Sequence, residues 1–581
     1  MSENPFKALV QTEYQFNGLS CPLGIAVSEK TPIEGLLVSM SLKMLNRHGL
    51  IAGATGTGKT KTLQVITEQL SLNGIPSILM DLKGDLGGLA VAGQSNEIIE
   101  QRKKLFNGHY EFPLQGFPVN ILSIGKDEGV SVKATIHEFG PVLLSKILGL
   151  NNVQSGIISI VFKYCDDNKL SLNTIADLKF FLTKICDDNN DIKENYGNVG
   201  EASVTTILRN IAELEQQGGN YFIGSPGIDV NDFLNNDEQN KGIISIIRLT
   251  QLQDKPALFS TFIIYLLSNL YATLPEVGDL QKPKLVMFID EAHLLFNDTN
   301  KIIQEKIESI IKLIRSKGVG IIFCTQTPTD LSETVLGQLG LKIQHSLRAF
   351  TAKDRKSIKM MAQNFPETTF YNVEEELTSL GIGEAFVTLL KEDGTPSPLV
   401  KTLLAPPLSR MGVLDEKELS KAINNSPLKS KYGIKNSIVT KPSKQLEDFY
   451  KKLVSIKEKE DLQVKQEKEN SKQKSKQISK TTKSTMPRRQ SYTNMMYGAM
   501  LPMANMFSNM MGGVNNGINN TTAANQYYYT KEGQQIGPVS ELQISKSILN
   551  GEINAFTYLW KPGMTDWALA KNFQEFQNLL K

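Results

Sequence analysis

Short runs of apolar and β-branched residues alternate with stretches of helical period along most of this chain. Ser77-Ile78-Leu79-Met80-Asp81, Ile243-Ile244-Ser245-Ile246-Ile247, Leu285-Val286-Met287-Phe288-Ile289-Asp290 and Gly320-Ile321-Ile322-Phe323-Cys324-Thr325 show little polar/apolar alternation. Such runs predict parallel strands buried on both faces. Leu50-Ile51-Ala52 reads as the end of a further strand, and residues 62–72 as the helix after it. From 131 to about 240 the pattern is mainly helical and polar, which predicts a helical subdomain inserted into an α/β unit that covers residues 1–440. Residues 257–274 carry no charge and nearly reach bilayer-spanning length. Ser260, Thr261, Ser268, Asn269 and Thr273 interrupt them, and they fall between two predicted strands. The prediction is therefore a buried core helix and no integral membrane segment.

Beyond residue 440 the pattern dissolves. Residues 451–489 are rich in Lys, Gln, Glu and Ser, and 471–490 hold Lys472, Lys474, Lys476, Lys480, Lys483, Arg488 and Arg489 with no acidic residue. A Met/Asn/Gly-rich stretch follows over 492–525. Neither composition can bury a core, so 441–525 are predicted to be a disordered linker, first basic and then Met/Asn-rich. The Met-rich part is either a plain tether or a Met-lined helix for a partner. Order returns at 526–581, where Tyr527-Tyr528-Tyr529, Gly537-Pro538, Trp560, Trp567 and a short helical stretch over 540–549 predict a small α+β module.

Charge and cysteine content remove several classes of function. The 581 residues carry a net charge of only +3, so any nucleic-acid contact has to come from local patches. Cys21, Cys165, Cys186 and Cys324 are scattered, without metal-ligand spacing, which fits a reducing compartment and no structural zinc. The start, Met1-Ser2-Glu3-Asn4-Pro5, lacks the layout of a signal peptide, and a cytoplasmic location is expected.

The chemistry lies at the predicted strand ends. Gly53-Ala54-Thr55-Gly56-Thr57-Gly58-Lys59-Thr60, followed by Lys61, has the G-x-x-x-x-G-K-[ST] spacing of a phosphate-binding loop, and it sits between strand and helix as that motif requires. Its backbone N–H groups and the helix N-terminus suit phosphate oxygens. Lys59 can reach the β/γ-phosphates of ATP, and the Thr60 hydroxyl can ligate Mg2+. The run ending in Asp290-Glu291 supplies the second acidic element: Asp290 to hold the metal's water shell, Glu291 to polarise the attacking water. Gln326 follows another strand and can report the γ-phosphate, or it is a turn residue. Arg47 begins the strand into the loop, at the wrong end for its own phosphates but open to a neighbour's. Arg348 follows a further strand-like run. Each is either an arginine finger or a surface ion-pair residue. His293 either couples the site to a second ligand or packs under the strand tip.

With these residues in hand, the chain resembles the HerA-like helicase family of bacterial P-loop ATPases, in the HerA/FtsK branch. Besides Arg47–Thr60, the matching blocks are Asp81-Leu82-Lys83-Gly84-Asp85-Leu86, Phe288-Ile289-Asp290-Glu291-Ala292-His293-Leu294-Leu295-Phe296, Ile314-Arg315-Ser316-Lys317-Gly318-Val319-Gly320, Val335-Leu336-Gly337-Gln338-Leu339-Gly340 and Gln344-His345-Ser346-Leu347-Arg348-Ala349-Phe350. They span roughly residues 18–412. The resemblance implies a RecA-type core, homohexameric rings, and ATP-driven movement on double-stranded DNA, sometimes coupled to a nuclease. It also implies that Arg47 acts in trans and that Arg348 contacts nucleotide. Well-studied ring members carry a β-barrel ahead of the ATPase, and the roughly fifty residues before the loop here are expected to be too few for one plus the entry strand. The 526–581 module is similar to bacterial GYF-type domains through Tyr528-Tyr529, Gly533, Gly537-Pro538-Val539, Leu559-Trp560, Gly563-Met564 and Asp566-Trp567. That similarity implies a protein partner, in the wider family a proline-rich one, unless Trp560 and Trp567 are core residues. Three functions stay open at this point: a DNA motor, a motor acting on protein, and a nucleotide-gated assembly scaffold.

Overall fold

The computed structural model describes residues 4–481 and 526–580, apart from 15, 17, 186–191, 193–194, 198, 279, 297–300, 434–438, 532–533, 550–551, 563, 565 and 578. The chain divides into two units, Met1–Gln477 and Ile478–Lys581.

The first unit is built on one 12-stranded sheet. In chain order its strands are β1 (Ser20–Ser28), β2 (Thr31–Ser41), β3 (Gly49–Ala52), β4 (Ser77–Asp81), β5 (Val119–Ser123), β6 (Val130–Ser131), β7 (Ile244–Arg248), β8 (Leu285–Ile289), β9 (Val319–Thr325), β10 (Leu341–His345), β11 (Glu384–Leu389) and β12 (Val400–Leu404). Across the sheet they run β2-β1-β12-β11-β10-β3-β9-β8-β4-β7-β5-β6. From β10 to β6 every neighbouring pair is parallel, and from β10 out to β2 every pair is antiparallel. The four apolar runs are β4, β7, β8 and β9. All residues of β3, β4, β8 and β9 are buried, as expected for strands covered on both faces. The fold is a mainly parallel α/β sheet. It leaves the C-terminal tips of β3, β9, β8 and β4 side by side on one edge, where ligands of such sheets bind.

The residues ahead of the phosphate loop form the Pro5–Glu13 helix and the β1–β2 hairpin, which extends the antiparallel flank. The hydroxyl of Tyr14 reaches the carbonyls of Val387 and Pro398, at 2.9 and 2.5 Å, and so pins that helix to the flank. Between β6 and β7 the described residues include the Ile136–Ile147, Asn152–Asp167, Ile175–Phe180 and Glu201–Gln217 helices. The uncharged segment is the Pro256–Thr273 helix, whose Leu258, Phe262, Ile263 and Leu266 are fully enclosed. Two of its polar side chains are bonded within the helix: Ser260 donates to the Pro256 carbonyl at 2.9 Å, and Asn269 to the Tyr265 hydroxyl at 3.2 Å.

The structure corrects the expectation of disorder from residue 441 onward. Lys444–Thr481 is a helix. Leu446 is buried, and Phe449, Tyr450 and Leu453 pack against the core of the first unit. The Ser443 N–H caps Asp177 at 2.6 Å, and Gln445 donates to the Lys169 carbonyl at 2.9 Å. These apolar positions recur with the spacing of one helix face, but the average composition of the stretch conceals them. Part of the basic run lies on the last turns of this helix. Residues 482–525, which hold the rest of it and the Met-rich stretch, lie outside the described residues.

The second unit has a four-stranded antiparallel sheet in the order β14-β13-β15-β16. Its strands are β13 (Gln526–Lys531), β14 (Gln534–Ser540), β15 (Tyr558–Trp560) and β16 (Ala568–Leu569), and the Glu541–Leu549 helix joins them around Tyr527, Ile544, Leu559 and Phe576. Trp560 and Trp567 are only half-buried. The Trp560 ring lies 5.6 Å from that of Tyr528, and its N–H donates to the Met564 carbonyl at 3.0 Å.

Candidate functional site

The phosphate loop leaves β3 and enters the Lys59–Leu72 helix through Gly58, which takes a left-handed φ of 113°. At Gly53 an added Cβ would lie 2.5 Å from that of His345, so only glycine fits there. At Gly56 an added Cβ meets nothing within 4 Å, so the loop is open on its outer side. The His345 ring sits under the helix start, 2.9 Å from the Thr62 hydroxyl. The same hydroxyl lies 3.2 Å from the Gly58 carbonyl, so it links the imidazole to the helix start. Burial, with Lys59 nearby, holds this imidazole down at about 4, so it stays neutral. Lys59 donates to the loop's own Gly53 and Ala54 carbonyls at 2.6 and 3.2 Å, and burial lowers its pKa. Thr60 is half-buried beside it, and Lys61 is exposed. Lys61 also lines a cavity of about 530 Å³ that opens next to the loop between Gly58, Arg102, Gly383 and Pro406.

Asp290 and Glu291 follow β8, one strand beyond β9 from the loop. Burial raises the Asp290 pKa against the pull of Lys83. Glu291 adopts φ 49°, ψ 46°, an uncommon backbone conformation for a residue with a side chain. Its Oε2 lies 3.3 Å from His293 Nδ1. Gln326 follows β9 directly and is exposed at the edge between the loop and the acids. The tips of β3, β9 and β8 therefore present an ammonium, a hydroxyl, two carboxylates and an amide on one side of the sheet. That donor set, with the open loop and a buried acid, fits a Mg2+-bound nucleoside triphosphate.

The two arginines separate. Arg348 lies beside its own loop, donating to the Thr55 carbonyl at 3.2 Å. Arg47 ends the short helix that precedes β3, at the opposite edge of the sheet from Lys59. Between Arg47 and β3 sits His48, fully buried, with Nε2 2.8 Å from the Ile311 carbonyl and Nδ1 accepting from the Ile321 N–H at 3.0 Å. Burial holds His48 neutral, down at about 4.

One group at the site went unassigned in the sequence. Lys83, three residues past Met80 of β4, places Nζ 2.5 Å from Glu291 Oε1 and 3.8 Å from Asp290 Oδ2. Burial acts to lower its pKa, but Asp290 and Glu291 outweigh it and the net shift is upward. The only signal for it in the sequence was its place in the Asp81–Leu86 block.

Residues 28–521 match the family described as helicase HerA-like C-terminal. The chain belongs to that family. Residues 527–576 match GYF domain 2. Among HerA-like relatives, the DNA double-strand break repair helicase HerA of Sulfolobus acidocaldarius is 22% identical over 370 residues, 60% of this chain and 64% of that protein. The DNA import protein CedB of the same organism is 25% identical over 363 residues, 62% of this chain and 52% of its own length. This chain thus spans less than two thirds of either relative. Among solved structures, the conjugative coupling protein TrwB in complex with sulphate aligns at 13% identity with a TM-score of 0.46, over 70% of this chain and 95% of its own.

Proposed function

We propose that the protein is an ATP-hydrolysing ring motor that translocates on or unwinds double-stranded DNA. The observation that carries this reading is the convergence of Lys59, Thr60, Asp290, Glu291 and Gln326 on one edge of the parallel sheet. Lys59 and the loop N–H groups hold the phosphates, Thr60 and Asp290 hold Mg2+, and Glu291 takes a proton from the attacking water. Gln326 orients that water, and the cavity beside Lys61 has room for the nucleoside. When bound, the metal neutralises charge on the β- and γ-phosphate oxygens. Arg348 reaches the nucleotide of its own subunit, and Arg47 that of a neighbour in a homohexamer. The GYF-like unit recruits a protein partner through the Tyr528–Trp560 surface, a proline-rich segment being the chemistry that suits an aromatic face. The family membership supports a cytoplasmic DNA motor, and the full complement of hydrolytic residues favours turnover over simple nucleotide sensing.

The deciding experiment is the steady-state ATPase rate with and without duplex DNA, at low and moderate salt. Stimulation that survives moderate salt supports the DNA track. Hydrolysis indifferent to DNA points to a protein track, and nucleotide binding without hydrolysis to an assembly scaffold.

A further inference from the structure

The Asp290–Glu291 pair has a cationic partner on a neighbouring strand, and the fold delivers it by a short, stiff route. β4 and β8 pair in parallel register with Met80 opposite Ile289. Past β4 the chain turns at once. The Asp81 carboxylate accepts from the Gly84 and Leu86 N–H groups at 2.7 and 3.2 Å, and Gly84 takes a left-handed φ of 78°. An aspartate that binds backbone just ahead of it fixes such a turn. Lys83 is thereby aimed across the adjacent strand tip and onto both carboxylates. Simple stabilisation is a poor account of this contact. The lysine is 39% exposed, so solvent screens the pair from its side. The left-handed backbone of Glu291 is itself unfavourable for a residue with a side chain. The contact also occupies the oxygens that must act as metal ligand and base.

We propose that Lys83 is a displaceable counter-ion: it holds the Asp290 and Glu291 carboxylates in the nucleotide-free site, competes there with the divalent cation, and keeps the Glu291 oxygen from the attacking water until it is displaced. An ammonium seated on a carboxylate oxygen occupies a lone pair that would otherwise face water or a metal ion. Lys83 is a positioning residue that acts through Glu291. The base role of Glu291 rests on the hydrolytic reading above, whereas the competition for the cation does not.

Two measurements on the full chain test this, with Lys83→Met and Lys83→Gln as neutral variants and Lys83→Arg as the charge-keeping one. The first needs no hydrolysis: binding of a fluorescent, non-hydrolysable ATP analogue titrated with Mg2+. Both neutral variants should lower the Mg2+ midpoint by about tenfold, the scale on which a charge a few ångströms away shifts an equilibrium, and Lys83→Arg should stay close to wild type. A midpoint unchanged or raised in both neutral variants overturns the proposal. The second is steady-state hydrolysis without DNA, which should rise several-fold in Lys83→Met with little change in KM for ATP. A lower kcat there also overturns it, because Lys83 would then serve the transition state. If no variant hydrolyses ATP yet the Mg2+ midpoint still shifts, the hydrolytic reading fails and the competition stands.

Discussion

Lys59 and Glu291 stand at opposite sides of the reacting phosphate in the proposed mechanism, so they should fail differently. Lys59→Ala should abolish hydrolysis by removing the cation nearest the β/γ-phosphates. Glu291→Gln should still bind ATP but turn over at least about a hundredfold more slowly, the usual contribution of a positioned base. Nucleotide binding and product release measured side by side on both variants make the check, and a near-wild-type rate in Glu291→Gln removes it from that role. These residues were legible in the sequence because the loop has fixed spacing and the acids end an unbroken apolar run. Lys83 was not legible. In Asp81-Leu82-Lys83-Gly84 it reads as part of a turn until β4 is known to lie beside β8, and strand neighbours far apart in sequence leave no local trace. The loop contact of Arg348 has the same origin, since it exists only because β10 pairs with β3.

The phosphate-loop helix is itself anchored by a buried acid. Glu68 accepts from the N–H groups of Leu408 and Ser409 at 2.8 and 2.9 Å, which ties the helix to the segment after β12. Burial outweighs those hydrogen bonds and pushes Glu68 up to about 7. The unfolded chain releases that proton near pH 4.3, so between roughly pH 4.3 and 7 the folded state binds more protons than the unfolded one. Stability from this group is full below that window and declines as pH rises through it. Glu68→Gln lacks this titration, so the Tm of wild type minus that of Glu68→Gln should fall as pH goes from 5 to 7.5. A flat difference would assign Glu68 no raised pKa. At this scale the buried strands were readable as apolar runs, while their order in the sheet was not. The Lys444–Thr481 helix was missed because Leu446, Phe449, Tyr450 and Leu453 are few among many charges. Its packing sets another expectation: Leu446→Ala should cost about 2–5 kcal/mol, as for other large-to-small core changes, and a 1–440 fragment should melt below a 1–481 fragment by differential scanning calorimetry.

At the scale of the whole molecule the proposal depends on assembly. Arg47 lies across the sheet from its own loop, so Arg47→Ala and Lys59→Ala proteins should each be inactive alone and partly active when mixed, because some interfaces then pair an intact Arg47 with an intact Lys59. Loss of an arginine finger costs on the order of 10³-fold or more, so the recovered rate stands well clear of either parent. Mixed rings as inactive as their parents, with subunit exchange demonstrated, would falsify the trans assignment. The His48 clamp gives this arrangement a mechanical consequence. β3 is four residues long, with Arg47 just before it and the phosphate loop just after it, and the imidazole at the joint is bonded to backbone on both sides. No slack chain lies between the two ends to absorb a displacement. A tug on Arg47 from a neighbour's departing phosphate would therefore reach the next catalytic loop as the sliding of a whole strand, and neighbouring subunits would fire in sequence through the stiffness of a single rod.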